Sequence, residues 1–266
     1  MMEALSYAFI QNAIIAGVAV SITAGIIGSL IVVNRMVFLA GGIAHAAYGG
    51  VGLALFFGIP IFFGTTIFAV ASALFMAFAT LYQREKIDIF IGLIWAVGMA
   101  IGIILVDLTP GYNVDLMSYL FGSILAVERS DLYFMGGLLA AVLFVITFWY
   151  RDILAVSYDS EYAALIGINV KFFYLLILVL SALSVVIATK VVGLILVIAL
   201  LTIPIYIAQR ITSSLFSMMM VSGATASLFT LIGLWLSYRF DLTSGATVIL
   251  VSAAALILFM MGTKTR

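Results

Sequence analysis

The stretch MVFLAGGIAHAAYGGVGLALFFGIPIFFGTTIFAVASALFMAFATLYQ, Met36 to Gln83, runs for 48 residues without an Asp, Glu, Lys or Arg. A helix that crosses a bilayer needs about 20 predominantly apolar residues, so the run holds two such helices, and Gly58 and Pro60 mark their division. The first contains His45, the only histidine of the chain. An imidazole placed that far from water either hydrogen-bonds across a helix interface or serves as a site for a metal ion or a proton.

The rest of the sequence repeats the pattern. Hydrophobic residues make up 66% of the 266 positions and charged residues 8%, with a mean hydropathy of +1.37. A soluble domain carries about a quarter charged residues, so this chain belongs in a membrane. Its net charge of zero and the lack of a basic run argue against a nucleic-acid partner. The absence of cysteine removes disulfides, thiolate zinc sites and cysteine nucleophiles together. The first basic residue is Arg35, too late for the n-region of a signal peptide, so the first apolar stretch reads as a retained helix.

Division at charges, Pro and Gly clusters predicts spans near 7–33, 38–58, 60–82, 89–107, 131–150, 171–189, 191–208, 214–237 and 244–262. The expected fold is therefore all-α, a polytopic transmembrane bundle forming one domain over 1–266, with about nine spans. If the two spans around Lys190 form one bent element, the count is eight. With the N-terminus outside, eight of the eleven basic residues are cytoplasmic, and Arg129, Lys190 and Arg239 face out. Residues 111–126 combine turn residues with an apolar piece too short to span, which fits a re-entrant segment. The longest polar cytoplasmic stretch is 151–170, where Ser157 or Asp159 can cap a short amphipathic helix that ends at Gly167. Such a helix suits a cytoplasmic partner.

Around His45, the small residues Gly42, Ala46, Gly50, Ala54 and Gly58 recur every four positions, and a stripe of this kind lets another helix backbone come close. With no second histidine and no cysteine, a full metal site is not visible within one chain. Two His45 side chains facing each other across a dimer axis would ease the shortage. Incomplete coordination also suits a conduit, which must release what it binds. Asp107, Asp115, Glu128, Asp131 and Asp241 all fall near the predicted outer side, where they either solvate the membrane edge or draw cations to an entrance. Pro204 interrupts Val191–Ala208 and either kinks that span or lines a cavity with freed carbonyls. Met218, Met219 and Met220 point in three directions on a helix, which favours packing over soft-metal binding. There is no P-loop, no His-Glu-x-x-His pair and no Gly-x-Ser-x-Gly elbow. The chain therefore reads as a non-enzyme without a bound cofactor, and any ATP is hydrolysed by another subunit.

Several stretches together carry a family likeness. Asn34-Arg-Met-Val-Phe-Leu-Ala-Gly-Gly-Ile-Ala-His45-Ala-Ala-Tyr-Gly-Gly50, Tyr119-Leu-Phe-Gly-Ser-Ile-Leu-Ala126, Asp159-Ser-Glu161-Tyr-Ala163-Ala-Leu-Ile-Gly167, Val192-Gly-Leu-Ile-Leu-Val197 through Pro204, and Asp241-Leu-Thr-Ser-Gly245-Ala-Thr stand in that order. In this the chain resembles the membrane permease subunits of bacterial zinc and manganese ABC importers. The resemblance implies a homodimer in the bacterial plasma membrane, with a cytoplasmic ATPase pair and an extracytoplasmic metal-binding protein as partners and Zn2+ or Mn2+ as cargo. It implies that Asp159, Glu161, Ala163 and Gly167 dock on the ATPase and that His45 contacts metal in transit. In many members an aspartate stands four residues before this histidine, on the same helical face; here that position is Gly41.

The expectation is thus the permease of an ATP-driven importer of divalent transition metal, zinc first because imidazole suits it, manganese second. Permeases for iron chelates or cobalamin, usually ten-spanning, are the neighbouring alternative. A gradient-driven secondary transporter would need no ATPase and would often show an internal repeat. An intramembrane enzyme would need a nucleophile or complete metal site.

Overall fold

The protein is described by a computed structural model covering residues 7–82, 87–110, 122, 124 and 127–263. Its helices are α1 (Ala8–Val33), α2 (Val37–Phe57), α3 (Ile61–Tyr82), α4 (Ile87–Asp107), α5 (Arg129–Tyr158), α6 (Ser160–Leu165), α7 (Val170–Leu200), α8 (Ile203–Ile211), α9 (Leu215–Phe240) and α10 (Ser244–Thr263). Helix is the one secondary structure that satisfies every backbone donor and acceptor within a single lipid-embedded segment, which is why apolar runs of this length adopt it. Among the described residues, eight helices are long and apolar enough to cross a membrane.

That is the lower of the two counts read from the sequence, and the difference lies at 191–208. Instead of one straight span, α7 continues through Lys190 as a 31-residue element broken at Gly193, whose φ of 80° and ψ of 165° suit glycine alone. The shorter apolar stretch Leu196–Ile211 follows. The chain turns at Leu201–Thr202, where the Thr202 hydroxyl donates to the Ile198 carbonyl at 2.7 Å. Pro204 consequently opens α8 in its first turn rather than kinking a longer helix, a position where its missing N–H costs nothing. Most of the proposed re-entrant segment, 111–121 with 123, 125 and 126, lies outside the described residues.

The chain forms two compact units, one from 1–32, 117–148 and 187–266, the other from 33–116 and 149–186. In the first, α1 and α9 meet along small and hydroxyl residues. A Cβ added to Gly25 would enter the backbone of Gly223. Beside that crossing, Ser222 donates to the Gly25 carbonyl at 2.9 Å, Ser29 lies 3.2 Å from Ser222, and Ser21 lies 2.9 Å from Thr230. Such pairs hold helices together where lipid offers no hydrophobic drive. Ser214 and Ser217 cap the start of α9 reciprocally, and Asp241 ends it in the left-handed region at φ 53°.

In the second unit α2 packs between α3 and α4. The every-fourth-residue stripe does not face one neighbour. Gly42 meets Ile91 and Ala46 meets Gly98 on α4, whereas Gly50 and Ala54 meet Gly64 on α3. A straight helix advances 100° per residue, so positions four apart drift around its surface and a long stripe is shared between two partners. Gly58 lies beyond the stripe: it caps α2 at φ 66°, with open space where a side chain would project.

Candidate functional site

Glycine contacts set how α4 lies on α2. A Cβ at Gly98 would come within 2.7 Å of the Ala46 Cα, and one at Gly102 within 2.6 Å of the Tyr48 carbonyl oxygen. The pairings 42 with 91, 46 with 98 and 52 with 102 ascend together, so the two helices run parallel. Trp95 falls between Ile91 and Gly98, and this register brings its indole over His45. The ring centroids are 3.9 Å apart and the planes 29° from parallel.

The other constraint on the imidazole is local. His45 Nδ1 lies 2.9 Å from the Gly41 carbonyl oxygen, one turn back on the same helix. A carbonyl only accepts, so Nδ1 carries the proton and donates it. The neutral ring then keeps its lone pair on Nε2, the tautomer in which a histidine binds metal through that nitrogen. The ring is half-buried. Among the described residues, no group of three or more His, Asp or Glu side chains converges into a metal site. His45 can therefore offer one nitrogen, held in a fixed direction, and a multidentate cage has to come from elsewhere.

Of the carboxylates expected on the outer side, the four described ones lie at helix ends. Asp107 is the last residue of α4 and is exposed. Asp115 lies outside the described residues. Glu128 precedes α5, and its backbone N–H donates to Asp131 Oδ2 at 3.1 Å while its own carboxylate accepts from Ser130 at 3.3 Å. Asp131 thus satisfies a first-turn donor of α5, and its negative charge sits well at a helix N-terminus. Asp241 caps α9. Asp131 and Asp241 thus have roles at helix ends, and Asp107, Glu128 and Asp241 are exposed.

Of the two expected caps for the polar segment, Asp159 is the one used: its Oδ1 accepts from the Tyr162 N–H at 2.9 Å. Ser157 belongs to the end of α5 and accepts from Asn34 Nδ2 at 2.9 Å, tying this segment to the α1–α2 connection. The resulting helix, α6, is only six residues long. Gly167 stops it at φ 87°, with the Gly167 and Ile168 N–H groups returning to the Ala164 and Ala163 carbonyls. Ala163 is fully buried beneath it, whereas Glu161, Tyr162, Leu165 and Ile166 are exposed, Leu165 by 86%. Apolar side chains raised on a short capped helix form a ready contact surface.

Trp95 is the residue that sequence reasoning missed. Tryptophan in membrane proteins collects at the water interfaces, so one well inside an apolar span was the available signal. Its partner, however, depends on the α2–α4 register.

Eight apolar helices long enough to span among the described residues, packed through close glycine contacts, describe a multi-pass membrane protein. The profile of the ABC 3 transport family matches residues 6–263, and the chain belongs to that family. It is 46% identical over 258 residues to an uncharacterized membrane protein of Synechocystis, covering 97% of this chain and 92% of that one. It is 35% identical over 256 residues to the manganese transport system membrane protein MntC of Listeria monocytogenes, covering 96% and 90%. Among solved structures it is similar to PsaBC from Streptococcus pneumoniae in complex with Fab, with a TM-score of 0.87, 31% identity, and coverage of 97% of this chain and 93% of that one.

Proposed function

We propose that this chain is the membrane subunit of an ATP-driven importer of divalent transition metal ions, acting as a homodimer in the bacterial plasma membrane. The observation that carries the reading is the match of nearly the whole chain to the ABC 3 transport family, with relatives whose names specify manganese transport. Manganese thereby moves ahead of zinc as cargo. The chemistry does not oppose this, since one imidazole without converging His, Asp or Glu partners among the described residues is a poor zinc site. An extracytoplasmic metal-binding protein delivers the ion, and carboxylates including Asp107, Asp115, Glu128, Asp131 and Asp241 draw it toward the entrance. His45 contacts the ion in transit through Nε2, and weak, single-nitrogen contact favours release. A pair of separate ATPase subunits docks on the face formed by Asp159, Glu161, Ala163 and Gly167, with Tyr162, Leu165 and Ile166 supplying apolar contact. The absence of a P-loop from this sequence supports the division of labour.

The test is uptake of radioactive manganese into proteoliposomes that hold the permease, its ATPase and the binding protein. Uptake that needs ATP, with Zn2+ as the weaker competitor, supports the reading, and uptake driven by an ion gradient alone refutes it. His45→Ala lowers uptake at unchanged assembly; a variant as active as the parent removes His45 from the pathway. Glu161→Lys and Gly167→Trp uncouple hydrolysis from transport, and full coupling in both excludes this docking face.

A further inference from the structure

His45 is constrained from two sides by groups of different kinds. The Gly41 carbonyl takes the Nδ1 proton at 2.9 Å and so decides which nitrogen is left basic. It leaves the ring free to swing about that bond. Trp95 removes this freedom, because its indole lies flat against one imidazole face at 3.9 Å and 29°. The contacts of Gly98 with Ala46 and of Gly102 with Tyr48 set the helix register in which the two rings meet. Trp95 is itself 39% exposed, so burial of the indole is not what the arrangement achieves.

An indole face is electron-rich and favours a neighbouring ring that carries positive charge. An imidazole gains such charge when a divalent cation binds its Nε2. The stack is therefore stronger in the metal-loaded state than in the empty one. We propose that Trp95 is a positioning residue for His45, holding Nε2 in one direction and strengthening its contact with the metal ion through the stacked indole. This rests on His45 contacting the cargo, as proposed above.

The permease–ATPase complex in nanodiscs, without binding protein, allows direct titration with Mn2+, whose free-ion paramagnetic resonance signal disappears on binding. Trp95→Leu weakens Mn2+ binding by about fivefold, the worth of one stacked aromatic pair. Trp95→Phe, which keeps a π face, restores binding to within about twofold of the parent. A structural filler would give the opposite order or no difference, since Leu and Phe both occupy the space. In a Trp149→Phe, Trp235→Phe background Trp95 is the only indole of the permease, and the emission it contributes, read as the difference from the same complex carrying Trp95→Phe, is quenched saturably by bound Mn2+ in the parent but not after His45→Ala.

Equal binding by the Leu and Phe variants, or no quenching of Trp95 where Mn2+ binds, overturns the assignment. If Trp95→Leu does not assemble, the quenching experiment on the native side chain decides alone. The two levels are separable: Mn2+ binding unchanged in His45→Ala refutes the metal contact itself, whereas binding lost in His45→Ala but kept in Trp95→Leu refutes only the role of Trp95.

Discussion

The α1–α9 crossing places two glycines face to face, and alanine at each has opposite consequences. A methyl at Gly25 enters the backbone of Gly223, with the Ser222 carbonyl carbon at 3.0 Å, and backbone cannot rotate away. Restoring an ordinary contact near 3.5 to 4 Å separates the helices by roughly 1 Å. That shift breaks the Ser222–Gly25 bond of 2.9 Å and the Ser29–Ser222 contact of 3.2 Å. Two interhelical hydrogen bonds in a membrane protein are worth about 1 to 3 kcal/mol together. Overpacking adds about 1 to 3 kcal/mol, so Gly25→Ala destabilises by about 2 to 6 kcal/mol in all. A methyl at Gly223 meets nothing nearer than the Ile22 Cα at 3.6 Å, an ordinary distance. Since alanine is the better helix former by up to about 1 kcal/mol, Gly223→Ala is neutral or slightly stabilising. Thermal unfolding of the purified permease, followed by loss of the monodisperse peak in size exclusion, reads both. Gly25→Ala lowers the midpoint by about 4 to 24 °C and Gly223→Ala does not lower it. Equal midpoints for the two variants would refute the described helix crossing.

Other positions give independent checks. Gly193→Ala forces a side chain into a backbone region suited to glycine, costing about 1 to 3 kcal/mol and lowering the unfolding midpoint, while Gly92→Ala, in open space on α4, does not lower it. Asp159→Ala removes the α6 cap and destabilises that helix by about 1 kcal/mol; amide exchange at Tyr162 rises accordingly, and Asp159→Asn restores most of the protection. Ser222→Ala leaves Gly25 bonded only to Ser29 and costs about 0.5 to 1.5 kcal/mol, measured by the same unfolding assay as above. Gly167→Asn tolerates the left-handed turn better than Gly167→Val, so ATPase coupling survives the first substitution and falls with the second.

The positions of the spans were legible because lipid imposes a length and a composition on every crossing helix, and α1 to α4 fall within a few residues of the apolar runs that predict them. The break within 191–208 was half visible. Pro204 announced an interruption, but whether it kinks a helix or begins one depends on Thr202, whose hydroxyl closes the preceding turn. The small residues on α2 were legible as a packing surface, though their division between Gly64 and Gly98 was not, because a sequence does not say which helices become neighbours. The serine and threonine contacts of α1 with α9 were hidden for the same reason: Ser21 and Thr230 are 209 residues apart. Of the candidate site, His45 stood out by its isolation, and Asp159 and Gly167 by the grammar of helix ends. Trp95 acquired meaning only once the α2–α4 register was known.

The acceptor that selects the tautomer of His45 is a main-chain atom. Every amino acid has that carbonyl, so no replacement at position 41 can delete it while the helix stands. The tautomer of the imidazole is thereby set by a group that substitution at position 41 does not itself remove.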